Sequence, residues 1–138
     1  MKNTSEPKHL PLALFFLRLS VFLVFFIWTL DKFVRPEHAG GVYKAFYFLP
    51  ALSGPVFVAI GLAEMILIFA FLLGIKKKIT YGAILLFQFI STASCFRQFF
   101  APFEQINILL YAGWPLLAAC FTLYLLRDHD TLFTVPAK

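Results

Sequence analysis

Four apolar stretches, separated by short polar breaks, set the pattern of the chain. The first runs from about Leu10 to about Val34 and is interrupted only by Arg18 and, near its end, by Asp31 and Lys32. A helix needs about 20 apolar residues to cross a bilayer, so this one is long enough to tilt or to protrude. Pro11 falls in its first turn, where the missing N–H costs nothing. Trp28 lies near its far end, where interfacial aromatics collect. The second stretch runs from about Pro55 to about Ile75 and carries Glu64 near its middle. Lys76-Lys77-Lys78 then makes a tight basic turn into the third, about Ile79 to Phe96. The fourth runs from about Glu104 to about Leu126 and holds Pro115, and the tail after Arg127 reads as polar and short. The pattern predicts an all-α integral membrane protein, a four-helix transmembrane bundle in one domain over residues 1–138.

The longest connection, Arg35 to Gly54, holds Pro36, Gly40, Gly41, Pro50 and Gly54 and is not expected to form one long helix. Between these breakers lies the aromatic, singly charged run from Val42 to Leu49, read as a short interfacial or re-entrant segment. The N-terminus is polar through Lys8 and then apolar for more than twenty residues. A signal peptide has a shorter apolar core and a small-residue cleavage site, so the first stretch reads as a retained helix.

Composition agrees with lipid solvation. The chain is 61% hydrophobic and 14% charged, against about 45–50% and about 25% in soluble domains. The net charge of +5 sits at the ends of the apolar stretches. No basic run is interleaved with stacking aromatics, which argues against nucleic acid and for the membrane itself as the partner. Lys2, Lys8, Lys76, Lys77, Lys78, Arg127 and Lys138 fall on one side; Lys32, Arg35, Lys44 and Arg97 fall on the other. Seven against four places the N- and C-termini in the cytoplasm. In a Gram-negative cell this means the inner membrane, with the long loop toward the periplasm.

Ionisable groups inside a membrane are the natural functional candidates. Glu64 lies about 13 Å into its helix, near the midplane. Arg18 enters the first helix from the opposite side, and an Arg18–Glu64 ion pair is expected. That pair reads either as a charge or proton site or as a contact fixing helix register. Helical spacing puts Arg18, Phe22, Phe25, Thr29 and Lys32 on one face. It does the same for Tyr81, Leu85, Gln88, Ser91, Thr92 and Cys95 on the third helix, and for Asn107, Tyr111, Trp114, Ala118 and Thr122 on the fourth. The stripe around Gln88 is expected to make interhelical hydrogen bonds, about 0.6 kcal/mol each, in preference to lining a ligand pocket. Pro115 frees the carbonyl of Tyr111 and should bend the fourth helix there. Gly61 and Gly113 read as positions of close packing. Glu37-His38 and Asp128-His129-Asp130 lack the spacing of a complete metal site, so no metal is expected. Cys95 and Cys120 differ in depth by on the order of 15 Å, which argues against a disulfide. No nucleophile triad or phosphate loop is present.

Several short motifs resemble DoxX-like proteins. They are Leu17-Arg18-Leu19 early in the first helix, Asp31-Lys32-Phe33 at its end, Gly61-Leu62-Ala63-Glu64 in the second, Leu72-Leu73-Gly74 before the basic turn, and Asn107 heading the last helix. The resemblance covers nearly the whole chain, including the long first loop. Trp28-Thr29-Leu30-Asp31-Lys32 stands where a glycine often precedes the first-helix lysine, so the branch within the DoxX/MauE superfamily stays open. The resemblance implies a small four-helix membrane protein tied to redox systems. Some members are quinone-linked oxidoreductase subunits, others support disulfide or oxidative-stress chemistry, and many have no established activity. It implies an accessory subunit with a membrane or periplasmic redox partner and a quinone held among Arg18, Glu64, Gln88 and Trp114. Arg18 and Glu64 carry over by position, but no catalytic role comes with them. The alternative is a non-catalytic bundle that binds or transports a small solute or scaffolds a partner. Oligomerisation is left open.

Overall fold

The computed structural model describes residues 5–47 and 54–136, and every regular element among them is helical. Helix α1 spans Leu10–Val34 with proline in its first turn, as the sequence predicts. It ends because Pro36 disfavours helical backbone at Arg35, and Arg35 closes the turn by donating its N–H to the Asp31 carbonyl.

Helix α2 follows at once, Pro36–Tyr47. The expected break at Gly40-Gly41 does not occur. Proline is well suited to a first helical position. Each interior glycine costs only about 1 kcal/mol, and packing against α1 and the next helix outweighs that. Phe48, Leu49 and Pro50, the remainder of the predicted interfacial segment, lie outside the described residues, as do Lys2 and Lys138.

Helix α3 spans Gly54–Leu72, and the lysine turn leads into α4, Lys77–Ser94. The turn is tight: Gly74 has φ +68° and Lys76 has φ 45°. The predicted fourth helix is divided into α6, Asn107–Leu110, and α7, Gly113–Leu125, with a short α5, Phe96–Phe99, before them. The division falls at Tyr111-Ala112, where the sequence placed the bend. Pro115 has no N–H to offer the Tyr111 carbonyl, which accepts from the Trp114 N–H instead at 3.1 Å. A 3-10 turn, Arg127–His129, closes the last helix.

Among the described residues, three stretches are long and apolar enough to cross a membrane: Leu10–Val34, Pro55–Leu72 and Asn107–Leu125. That is the make-up of a multi-pass membrane protein. Large apolar side chains point outward along all of them, among them Phe16, Leu23, Ile66 and Phe121. In water such a surface would aggregate; against lipid it is solvated. Helix α4 stands apart because it opens on Lys77-Lys78 and carries Gln88, Ser91 and Thr92.

Helix α1 packs chiefly on α3, and α4 chiefly on α7. The apolar core is Leu14, Val21, Ile68, Phe71, Tyr81, Ile84, Cys120 and Leu123. These residues come from the first half of α1, the second half of α3, the first half of α4 and the second half of α7. The core therefore occupies the end of the molecule that bears the lysine turn. Toward the opposite end the buried positions are largely polar: Thr29, Lys32, Gln88 and Thr92, with Phe57 the apolar exception. The apolar core thus fills the lysine-turn end, where Arg18, Thr80 and Asp130 are the buried polar exceptions.

Candidate functional site

In the polar half, α1 presents Thr29 and Lys32 toward α3, one turn apart on the inward face. Both reach the same oxygen of Glu64. The Lys32 ammonium lies 2.8 Å from Glu64 Oε2, and the Thr29 hydroxyl donates to it at 3.2 Å. Gly61, one turn before Glu64, allows this approach. A Cβ there would stand 2.7 Å from the Phe33 ring of α1. On its other side Glu64 lines an apolar groove of about 460 Å³ with Ile60, Ala63, Leu67 and Phe87. The side chain is about one quarter exposed, at 23%. One carboxylate thus joins a buried ammonium to a lateral, apolar opening. Nearby at the surface, Asp31 accepts from Arg35 at 2.7 Å and lies 2.6 Å from the His38 ring.

Arg18 does not meet Glu64. Its level on α1 is eleven residues, about 16 Å of helix rise, from that of Thr29, which Glu64 does meet. α1 begins well before the α3–α4 turn, so Arg18 lies beside that turn and not beside the middle of α3. Its partner is Asp130, which sequence reasoning left in a polar tail. Arg18 Nη1 donates to Asp130 Oδ1 at 2.5 Å, and both side chains are fully buried. The Tyr81 hydroxyl donates to Asp130 Oδ2 at 2.6 Å, and Lys77 Nζ to the Asp130 carbonyl at 2.5 Å. Arg18 Nη2 donates to the Leu132 carbonyl at 2.5 Å, and its guanidinium lies over the Phe15 ring, 5.5 Å from the centroid. A signal for Asp130 did exist: a lone membrane arginine needs a counter-charge. What was missing was any reason to bring the tail back to it.

The third-helix stripe makes interhelical contacts, as expected. Gln88 Nε2 donates to Thr92 Oγ1 at 2.9 Å, and both reach the Gly113 carbonyl of α7 at 3.4 Å. Gln88 Oε1 is buried without a partner among the described residues. Ser91 is half-buried, its carbonyl accepting from Ser94 and Cys95. Gln88→Met is accordingly expected to change thermal stability in detergent by less than about 1 kcal/mol. One long interhelical bond and one bond within α4 are lost, and an unpaired buried oxygen goes with them.

The predicted fourth-helix face does not line the interior. Trp114 is 51% exposed and faces an outer groove of about 700 Å³ between α4 and α7, with Leu85, Phe89 and Phe121. The inward face is Gly113, Leu116, Cys120 and Leu123, on the opposite side of α7 from Trp114, Ala118 and Thr122. Asn107 and Tyr111 instead brace the preceding loop. Asn107 Nδ2 donates to the Ala101 carbonyl at 2.9 Å, and the Tyr111 hydroxyl to the Phe99 carbonyl at 2.7 Å. Cys95 and Cys120 are free thiols.

The candidates therefore fall into separate groups: Thr29-Lys32-Glu64, Arg18-Tyr81-Asp130, Gln88-Thr92-Gly113, and Trp114 on the outside. No group of three or more His, Cys, Asp or Glu side chains among the described residues is arranged to hold a metal ion. No family model, curated protein or solved structure matches the chain. The geometry of the polar half is what a functional reading has to rest on.

Proposed function

We propose that the chain is a DoxX-like protein that crosses the cell inner membrane four times. Its Lys32–Glu64 centre binds a membrane-soluble small molecule with a carbonyl-bearing head, of the quinone class, in an accessory subunit of a membrane redox system. The observation that carries this reading is the position of Glu64, tied to Lys32 and Thr29 on one side and lining an apolar lateral groove on the other.

The residues present fit such a head. Ile60, Ala63, Leu67 and Phe87 suit a flat apolar ring. Lys32 and Thr29 both reach Glu64 Oε2 and so fix the carboxylate beside the groove. A quinone would supply the redox chemistry; the chain supplies the groove and a carboxylate at its edge. Arg18 and Trp114 take no part, because both lie elsewhere in the fold.

As the fourth span, α4 would be about 27 Å long. Its lysines would reach the interface, and Ile79, Leu86, Phe89 and Ile90 face outward. The basic lysine-turn end then lies in the cytoplasm, with both termini. The second reading is a non-catalytic bundle for a small solute or a partner protein. It is favoured by the Gln88–Thr92 stripe, whose bonds to α7 need no ligand.

Mass spectrometry of the protein extracted in mild detergent tests the choice. A co-purifying quinone is expected, reduced at least tenfold in a Glu64→Gln variant of unchanged helicity. A folded wild-type protein with no quinone and no affinity for a soluble quinone analogue would leave the second reading. Loss of folding in Glu64→Gln would mark the pair as structural.

A further inference from the structure

We infer that residues Arg127–Pro136 form a releasable strap that seals the lysine-turn end of the bundle, with Asp130 as its latch. The segment leaves α7 through the 3-10 turn, where His129 pairs with Glu6 ahead of α1. It then crosses α1 at Arg18, where Asp130 and Leu132 are held, and Phe133 meets Phe15 with ring centroids 5.0 Å apart. It finishes on the α3–α4 turn, where the Val135 N–H donates to the Leu73 carbonyl at 2.7 Å. One short segment therefore ties together the ends of all four long helices.

The turn is shaped to receive it. A Cβ on Gly74 would stand 2.7 Å from Thr134 Cγ2 and 2.8 Å from Thr134 Cβ. Glycine there supplies both the positive φ and the space for the strap.

The way the strap is held makes it releasable as a unit. Thr131, Phe133, Val135 and Pro136 are exposed, and only Asp130 is fully buried. Apolar burial contributes little; the hold is a set of directional polar contacts converging on one carboxylate and its neighbours. Segments of this kind open locally without unfolding the rest. Leu14, Tyr81, Cys120 and Leu123 of the apolar core lie at this same end of the bundle. Cys120 sits about 7.5 Å of helix rise below the end of α7. A closed strap covers the Arg18–Asp130 pair and the α3–α4 turn.

Cys120 is a built-in reporter. In a Cys95→Ser background it is the sole thiol. The full chain in lipid nanodiscs, where both faces meet solvent, is treated with a water-soluble maleimide. Labelling is expected to be slow in that background, at least tenfold faster with Asp130→Asn, and severalfold faster with Tyr81→Phe, which removes one hydrogen bond and keeps the charges. Circular dichroism establishes that each variant remains helical. Equal, slow labelling in folded Asp130→Asn overturns the inference, as does fast labelling with the latch intact. If Asp130→Asn fails to fold, Tyr81→Phe decides, and an unchanged rate in it rejects the strap as a seal.

Discussion

Asp130→Ala is expected to destabilise the folded bundle by about 3–5 kcal/mol, because it leaves the Arg18 guanidinium buried without a counter-charge. Arg18 and Asp130 both have 0% side-chain exposure, so water cannot take the place of either partner while the strap is closed. Tyr81, Lys77 and the Leu132 carbonyl are arranged around the same pair and lose their geometry with it. Arg18→Ala should cost a similar amount for the converse reason. The double change Arg18→Met with Asp130→Leu should recover most of the loss, since replacing a buried pair with apolar groups is often neutral. Equilibrium unfolding of the four proteins in one detergent, read by circular dichroism, checks all three changes. A single variant within about 1 kcal/mol of wild type would mean that the pair is solvated in the membrane, contrary to its geometry.

Gly74→Ala should be the next most costly single change, on the order of 2–4 kcal/mol, with about 1–2 from left-handed backbone and 1–3 from overpacking. The close neighbour is Thr134 near its own backbone, so the strap must move; a side-chain rotation does not suffice. Gly61 offers the contrast. A Cβ there meets only the tip of the Phe33 ring, which can turn aside, so Gly61→Ala should cost less. Gly74→Ala should also quicken Cys120 labelling in the Cys95→Ser background, because it displaces the segment covering that residue. Unfolding in detergent and maleimide kinetics on the same sample check both effects.

The two polar centres were unequally legible. Thr29 and Lys32 lie on the inward face of α1 that helical spacing assigns them, and Glu64 is the only acidic residue in α3. The residues of the first centre were therefore visible, but not their pairing. Depth was counted from the ends of the apolar stretches, and α1 overhangs the α3–α4 turn. That offset moves Arg18 toward the boundary and Lys32 toward Glu64. Asp130 was not visible as a partner, because hydropathy reads a polar segment after the last helix as solvated. The face of α7 was not legible, because Trp114 and Ala118 turn to the outer groove while the small and aliphatic Gly113, Leu116, Cys120 and Leu123 pack inward.

The apolar stretches by themselves determined that the chain is helical and membrane-like. Burying that many apolar side chains while satisfying every backbone group leaves few solutions in lipid. They also determined the lysine turn, the proline-directed division of the last stretch, and the inward faces of α1 and α4. These depend on residues within a turn or two of each other. Only the tertiary structure decided which charges pair, that the apolar core fills the lysine-turn end, and that the C-terminal segment folds back over Arg18. Those outcomes depend on the relative heights of helices far apart in sequence, and no local pattern encodes a height.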